Sequence, residues 1–136
     1  MGNHRGSMIK VSEREIQSSI IDYLIVEEEL GHLTFQRMNN IPVYDVKKGI
    51  YRALPKGNKK GFPDIIILKK GRFIGLEIKK TVGGQQSIYQ KKMENLIKKQ
   101  HGEYYLVTSL EEAIAVIGCG KEFKIANTGA TVKKPK

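Results

Sequence analysis

The sequence predicts an α/β domain, a mixed sheet flanked by helices. Three observations predict it. Residues 61–80 (GFPDIIILKKGRFIGLEIKK) hold two branched-aliphatic runs joined by the polar turn Lys69-Lys70-Gly71-Arg72, which reads as a β-hairpin. Residues 12–29 and 87–100 carry apolar positions at helical spacing behind start signals. The second half then runs strand, helix, strand, which in one sheet implies a right-handed parallel crossover.

Taken in order, residues 12–29 place Ile16, Ile20, Tyr23 and Leu24 on one helical stripe with Ile21 beside it. Ser12 with Glu15 three residues on is a capping box, so Glu15 has a local structural task. Glu13 and Gln17, four apart on one face, either reach a common site or are solvated first-turn residues, Glu13 being favoured there by the helix dipole. Glu27, Glu28 and Glu29 read as a solvated helix end closed by Leu30 and Gly31. A short strand is expected around Thr34 and Phe35. Residues 39–60 read as a long loop with one turn of helix, carrying Lys47, Lys48, Arg52, Lys56, Lys59 and Lys60 interleaved with Tyr44 and Tyr51. These cations suit phosphate contacts, or equally an ordinary solvated loop.

After the hairpin, residues 81–86 form a turn through Gly83-Gly84. The helix of residues 87–100 opens on a Ser87/Gln90 capping box and carries Ile88, Met93, Leu96 and Ile97 at amphipathic spacing, with Lys91, Lys92, Lys98 and Lys99 largely elsewhere. Gln90 is accounted for by the cap, or orients a water or phosphate. Residues 104–107 form a strand, Ser109 and Glu112 cap a last helix through Ile117, and residues 121–125 add an edge strand. Residues 1–7 (MGNHRGS) have neither the apolar core of a signal peptide nor any periodicity and read as a cloning remnant outside the fold; residues 8–126 form the domain, and residues 127–136 a basic tail without order.

At 136 residues with 40% hydrophobic and 28% charged content, the chain has the length of one domain with one core. Lys and Arg number 24 against 14 Asp and Glu, for a net charge of +10 and a pI near 9.7. A polyanionic partner follows, and nucleic acid is the commonest. No hydrophobic stretch is long enough to span a bilayer as a helix, and no amphipathic helix combines a basic face with a large aromatic one, so the membrane reading is weak. The single cysteine, Cys119, cannot form an internal disulfide, and zinc-type Cys/His spacing is absent; a reducing cytoplasm is the expected compartment.

The chemistry concentrates in the hairpin. If Lys70-Gly71 is a two-residue loop, Lys69 faces Arg72 and the register puts Asp64 opposite Glu77, with Cβ atoms about 4.5–5.5 Å apart. Lys79 projects from the same face as Glu77, and Leu76 and Ile78 from the other. Two acids so close repel unless a cation lies between them, and Mg2+ takes oxygen ligands of this kind. The bland reading is a cross-strand ion pair in which Lys79 neutralises Glu77.

SEREIQ (residues 12–17), GFPD (61–64), LEIKK (76–80) and QSIYQ (86–90), in that order, resemble the PD-(D/E)XK nuclease superfamily, and more narrowly a stand-alone VRR-NUC domain of phage and bacterial type. The resemblance covers residues 11–117. It implies a restriction-endonuclease-like α-β-β-β-α-β core, in agreement with the element order above. It also implies that Asp64, Glu77 and the carbonyl of Ile78 bind Mg2+, with Mn2+ able to substitute, and that Glu13 is the helix acid of the family. Lys79 would position the attacking water and stabilise the phosphate, and Gln90 would match the family glutamine, with Gln17 behind it. Lys80 stands where many relatives have Arg, a flanking phosphate contact. The activity implied is Mg2+-dependent DNA hydrolysis, and relatives without extra domains resemble homodimeric four-way (Holliday) junction resolvases in the cytoplasm of bacteria or phage-infected cells. A flap or general nuclease on the same core, and a basic DNA-binding protein without catalysis, are the alternatives.

Overall fold

The computed structural model describes residues 11–38, 44–52, 54–80 and 85–119. The expected N-terminal remnant, the turn through Gly83-Gly84, the strand at residues 121–125 and the tail lie outside them. The elements are α1 (Glu13–Glu29), β1 (Thr34–Arg37), β2 (Tyr44–Asp45), β3 (Ile50–Tyr51), β4 (Ile65–Lys69), β5 (Arg72–Ile78), α2 (Ile88–Lys99), β6 (Glu103–Val107) and α3 (Leu110–Cys119). Strands β1-β4-β5-β6 form one sheet in that order; β1/β4 and β4/β5 are antiparallel and β5/β6 is parallel across α2. With the β2–β3 hairpin set aside, this is the expected α-β-β-β-α-β order.

Helix α1 starts where its capping box requires: the Ser12 hydroxyl accepts from the Glu15 amide at 3.1 Å, and the Glu15 carboxylate accepts from the Ser12 amide at 3.2 Å. Its buried stripe is Ile16, Ile20 and Leu24. The stripe packs with Ile65, Ile67, Ile74, Leu76 and Ile78 on one face of the sheet, where Ala113, Val116 and Ile117 of α3 complete the main core. A smaller cluster on α2 and β6, Met93, Ile97 and Tyr104, gathers Phe62, Phe73 and Leu106. Alternation along β5 explains the division: Ile74, Leu76 and Ile78 join the main core, while Phe73 turns to the α2 layer and Glu77 follows its parity. Helix α2 lies against β6, and Leu68, two steps along β4 from Ile66, is 49% exposed. Part of the α2 side of the sheet is therefore uncovered.

Four local expectations change. The loop of residues 39–60 contains a hairpin, β2 with β3, held by an edge-to-face Tyr44–Tyr51 contact (ring centroids 5.1 Å apart) and by Asp45, whose carboxylate accepts from the amides of Lys47 and Lys48. Two-residue strands give too little alternation to be seen in sequence. Glu28 is not an idle solvated residue: its carboxylate accepts from the Thr34 hydroxyl at 2.6 Å and the Phe35 amide at 3.3 Å, satisfying an N–H on the outer edge of β1. Ile88 is 80% exposed, because five residues before Met93 it sits about 140° round the helix from the buried face. Ser109 does cap α3 through the Glu112 amide at 3.1 Å, but the Glu112 carboxylate bonds the amide and hydroxyl of Thr108 rather than closing a box on Ser109.

Candidate active site

The hairpin register is the one its turn dictates. Lys69 pairs with Arg72 and Ile65 with Leu76, so the next pair outward is Asp64 and Glu77. Lys70 (φ 49°) and Gly71 (φ 81°) both take the left-handed conformation that a tight two-residue hairpin needs.

The GFPD segment is built to deliver Asp64. Gly61, at φ +82°, lies against the first turn of α2, where a Cβ would come within 2.4 Å of the Tyr89 carbonyl group. Phe62 packs in the α2 cluster. Pro63 is buried against Gly75, where a Cβ would stand 2.7 Å from the proline ring. Asp64 is thereby fixed beside the end of β5: its Oδ2 accepts from the Ile78 amide at 2.8 Å, and its carbonyl accepts from the Met38 amide at 2.8 Å. In the sequence, Gly61 and Pro63 stand out only as part of the GFPD motif, and Gly75 does not stand out at all. The contacts they permit lie between segments distant in sequence, and the only local signal was the glycine-and-proline spacing before an acid.

Glu77 is 4% exposed, the one buried charged residue among those described. Its Oε2 accepts from Gln90 Nε2 at 2.7 Å, while its Oε1 is buried with no hydrogen-bond partner. Burial, and then the neighbouring Asp64 carboxylate, push its pKa up to about 8, against the opposing pull of Lys79. Burial also raises Asp64, but the Ile78 amide favours the ionised Asp64. Without a cation the pair therefore holds a proton more readily than two separate carboxylates would, and burial with the Asp64 charge directs it toward Glu77.

Gln90 joins the two halves of the site. Its side-chain oxygen accepts from the Ser87 amide at 2.8 Å and from Lys79 Nζ at 3.3 Å, while its nitrogen donates to Glu77. The cap and the bond to Glu77 coexist, because the cap leaves the amide nitrogen free to reach the carboxylate. Behind it, Gln86 donates to Glu94 at 2.9 Å and to the Tyr104 hydroxyl at 3.4 Å. Burial raises the Tyr104 pKa and keeps that hydroxyl neutral.

Glu13, at the exposed start of α1, is close enough for its charge to act on both Asp64 and Glu77. Among the described residues, however, no three acidic, histidine or cysteine side chains converge as a ready-made metal cage. Glu15 is used by the α1 cap, and Gln17 is half-buried one turn beyond Glu13. The DNA-binding candidates fall in two places. Lys47, Lys48 and Arg52 belong to the β2–β3 hairpin, where Arg52 pairs with Asp45 at 3.4 Å. Lys59 and Lys60 lie beside α2, and Lys80 is exposed directly after Lys79.

A mixed sheet flanked by helices, in this order, is the architecture of restriction-endonuclease-like folds. Among solved structures, a chain named "VRR_NUC domain protein" is 19% identical, with 80% of this chain and 87% of that chain covered and a TM-score of 0.56. Another, "VRR_NUC domain", is 14% identical over 80% of this chain and 98% of that one, with a TM-score of 0.53. The chain has the VRR_NUC fold. Compared with protein-family models and with curated proteins, the sequence gives no match. No helix of the described residues is long and apolar enough to cross a membrane.

Proposed function

We propose that the protein is a Mg2+-dependent DNA endonuclease that cuts phosphodiester bonds in branched DNA, acting as a homodimeric four-way junction resolvase. The observation that carries this reading is the Asp64–Glu77 pair, facing across the hairpin with Lys79 and Gln90 attached to it. The buried Glu77 Oε1, which no N–H of the described residues reaches, lies by the Asp64 carboxylate, where a shared proton or a cation would satisfy it, so the residues fit a divalent ion in place of the proton. Asp64, Glu77 and the Ile78 carbonyl would hold Mg2+, with Mn2+ as a substitute and Glu13 available from α1. The ion would supply charge neutralisation at the phosphate and a lowered pKa for the attacking water.

The chain's own groups do the rest. Gln90 fixes the Glu77 carboxylate and the Lys79 ammonium relative to each other through its two ends. Lys79 places a positive charge where the phosphate gains negative charge, a kind of preorganised contact worth about 10²–10³ in rate. The net charge of +10 supports a polyanionic substrate. Two opposed strands must be cut to resolve a junction, which is the argument for a symmetric dimer.

The test is cleavage of labelled four-way junction, flap, duplex and single-stranded DNA with Mg2+, Mn2+ or EDTA. Metal-dependent paired nicks in the junction, lost in Asp64→Ala and reduced about 10²–10³-fold in Lys79→Ala while DNA binding stays within a few-fold, are expected. Equal cutting of every substrate would replace the resolvase by a general nuclease. No cutting with any metal would leave a DNA-binding protein.

A further inference from the structure

Beside the catalytic candidates, a concavity of about 330 Å3 is lined by Lys59, Lys60, Tyr89, Lys92, Met93 and Leu96. Its size is near the lower end for small-molecule sites, about 300–1,000 Å3, and suits a single base rather than a length of strand. We propose that it holds one unpaired nucleotide of the substrate strand, with the base against the Tyr89 ring and the adjoining phosphates among Lys59, Lys60 and Lys92. The proposal deepens the DNA-nuclease reading and rests on it, since it names the form of DNA that the site prefers.

Three observations support it. Tyr89 is 51% exposed, and its ring already carries a cation, Lys60 Nζ, 5.1 Å from the centroid. The ring is thus open to a flat partner, and the ammonium is placed to move from the ring to a phosphate when a base takes its position. Lys59, Lys60 and Lys92 also make the concavity cationic, although its wall includes Leu96, 42% exposed. An ordinary apolar protein surface would bury those charges unpaired, whereas a nucleic acid strand offers a flat apolar base and an anion at each step. Finally, Tyr89 immediately precedes Gln90, and Gly61 lets the preceding loop close directly onto the Tyr89 and Gln90 backbone. A nucleotide held there lies one residue from the group that orients Glu77 and Lys79. In intact duplex both faces of each base are stacked on neighbours, so the ring is useful only where DNA is splayed, as at a branch point.

The test is a fluorescence-anisotropy titration of the full chain in EDTA, at fixed salt, with a short single strand and a blunt duplex of the same sequence. Tyr89→Ala is expected to weaken single-strand binding about 10-fold while duplex binding stays within about two-fold. Tyr89→Phe keeps the ring and is expected to retain wild-type affinity for both. Lys92→Ala is expected to lower the salt slope on the single strand by about 0.7. An unchanged single-strand affinity in Tyr89→Ala, or an equal loss on both DNAs with an unchanged melting temperature, overturns the proposal. So does a Tyr89→Ala change in the oligomeric state of free protein, which would assign the patch to a second copy of the chain. A selective Tyr89→Ala loss, alongside a wild type that cuts nothing with Mg2+, would sustain the nucleotide site and sink the nuclease reading.

Discussion

On the proposed reading, Glu77 couples the pH behaviour of the free protein to Mg2+ binding. Its pKa is raised from 4.5 to about 8 in the folded state. Between those values the folded protein binds the proton and the unfolded chain does not, so stability falls as pH rises through the window. Metal-free protein should therefore melt at a lower temperature at pH 8 than at pH 5.5. Added Mg2+ should raise the melting temperature more at pH 8, where no proton has to be displaced. Glu77→Gln should flatten this contribution to the pH profile and abolish the Mg2+ response; a Mg2+ shift that survives in the variant would place the ion elsewhere. Gln90 supplies the second residue-scale prediction. Ser87→Ala removes only the cap and should cost about 1 kcal/mol of stability with little change in the rate of cutting under saturating metal. Gln90→Ala keeps the Ser87 hydroxyl on the residue-90 amide, loses the reciprocal bond to the Ser87 amide, and also frees Glu77 and Lys79, so its rate should fall well beyond that of Ser87→Ala; thermal melts and single-turnover cleavage of the two variants separate the roles. The acid pair and its register were legible because a two-residue turn fixes every facing pair by arithmetic. The double use of Gln90 was not, because a capping box predicts where the backbone starts a helix and is silent about what lies across from the remaining amide nitrogen.

At the scale of elements, the starts of α1 and α2 were readable in Ser12/Glu15 and Ser87/Gln90, since a cap is a contact within one turn. What hid was contact between elements. Gly61 makes the point sharply, because its φ of +82° explains a glycine by itself, yet its lasting constraint is the α2 backbone 2.4 Å from where a Cβ would be. Gly57 separates the two effects. It has φ +95° and nothing within 4 Å of the corresponding Cβ. Gly57→Ala should therefore lose only the conformational term, about 1 kcal/mol. Gly61→Ala should lose about 2–3 kcal/mol by denaturant unfolding, and should slow cutting as well, because α2 cannot shift without carrying Gln90 off Glu77. Equal losses in the two variants would show that the close approach is unimportant. The exposure of Ile88 and the edge-blocking task of Glu28 belong to the same class: the helix wheel names a face but not which neighbour will cover it.

For the molecule as a whole, the composition announces a partner and the fold distributes the charge. Asp64, Glu77 and Lys79 occupy the sheet side that α2 covers only in part, and the basic residues beyond it are divided between the α2 flank and the β2–β3 hairpin. These two groups are differently held. In the hairpin, the backbone amides of Lys47 and Lys48 are tied to Asp45, and Arg52 is paired with the same carboxylate, so Arg52 must surrender an ion pair to reach a phosphate. Lys47 and Lys48 have no such competitor among the hydrogen bonds of their side chains in the described residues. Each phosphate contact on duplex DNA contributes about 0.9 to the slope of log affinity against log salt. Measured on four-way junction DNA in EDTA, Lys47→Ala/Lys48→Ala should therefore reduce the slope by about 1.8, while Arg52→Ala should change it by less than a full contact because the freed Asp45 adds a negative charge nearby. Lys59→Ala/Lys60→Ala should reduce it by a comparable amount from the opposite group. If only one double variant alters the slope, DNA contacts that group alone; if both do, the bound DNA reaches both the α2 flank and the β2–β3 hairpin.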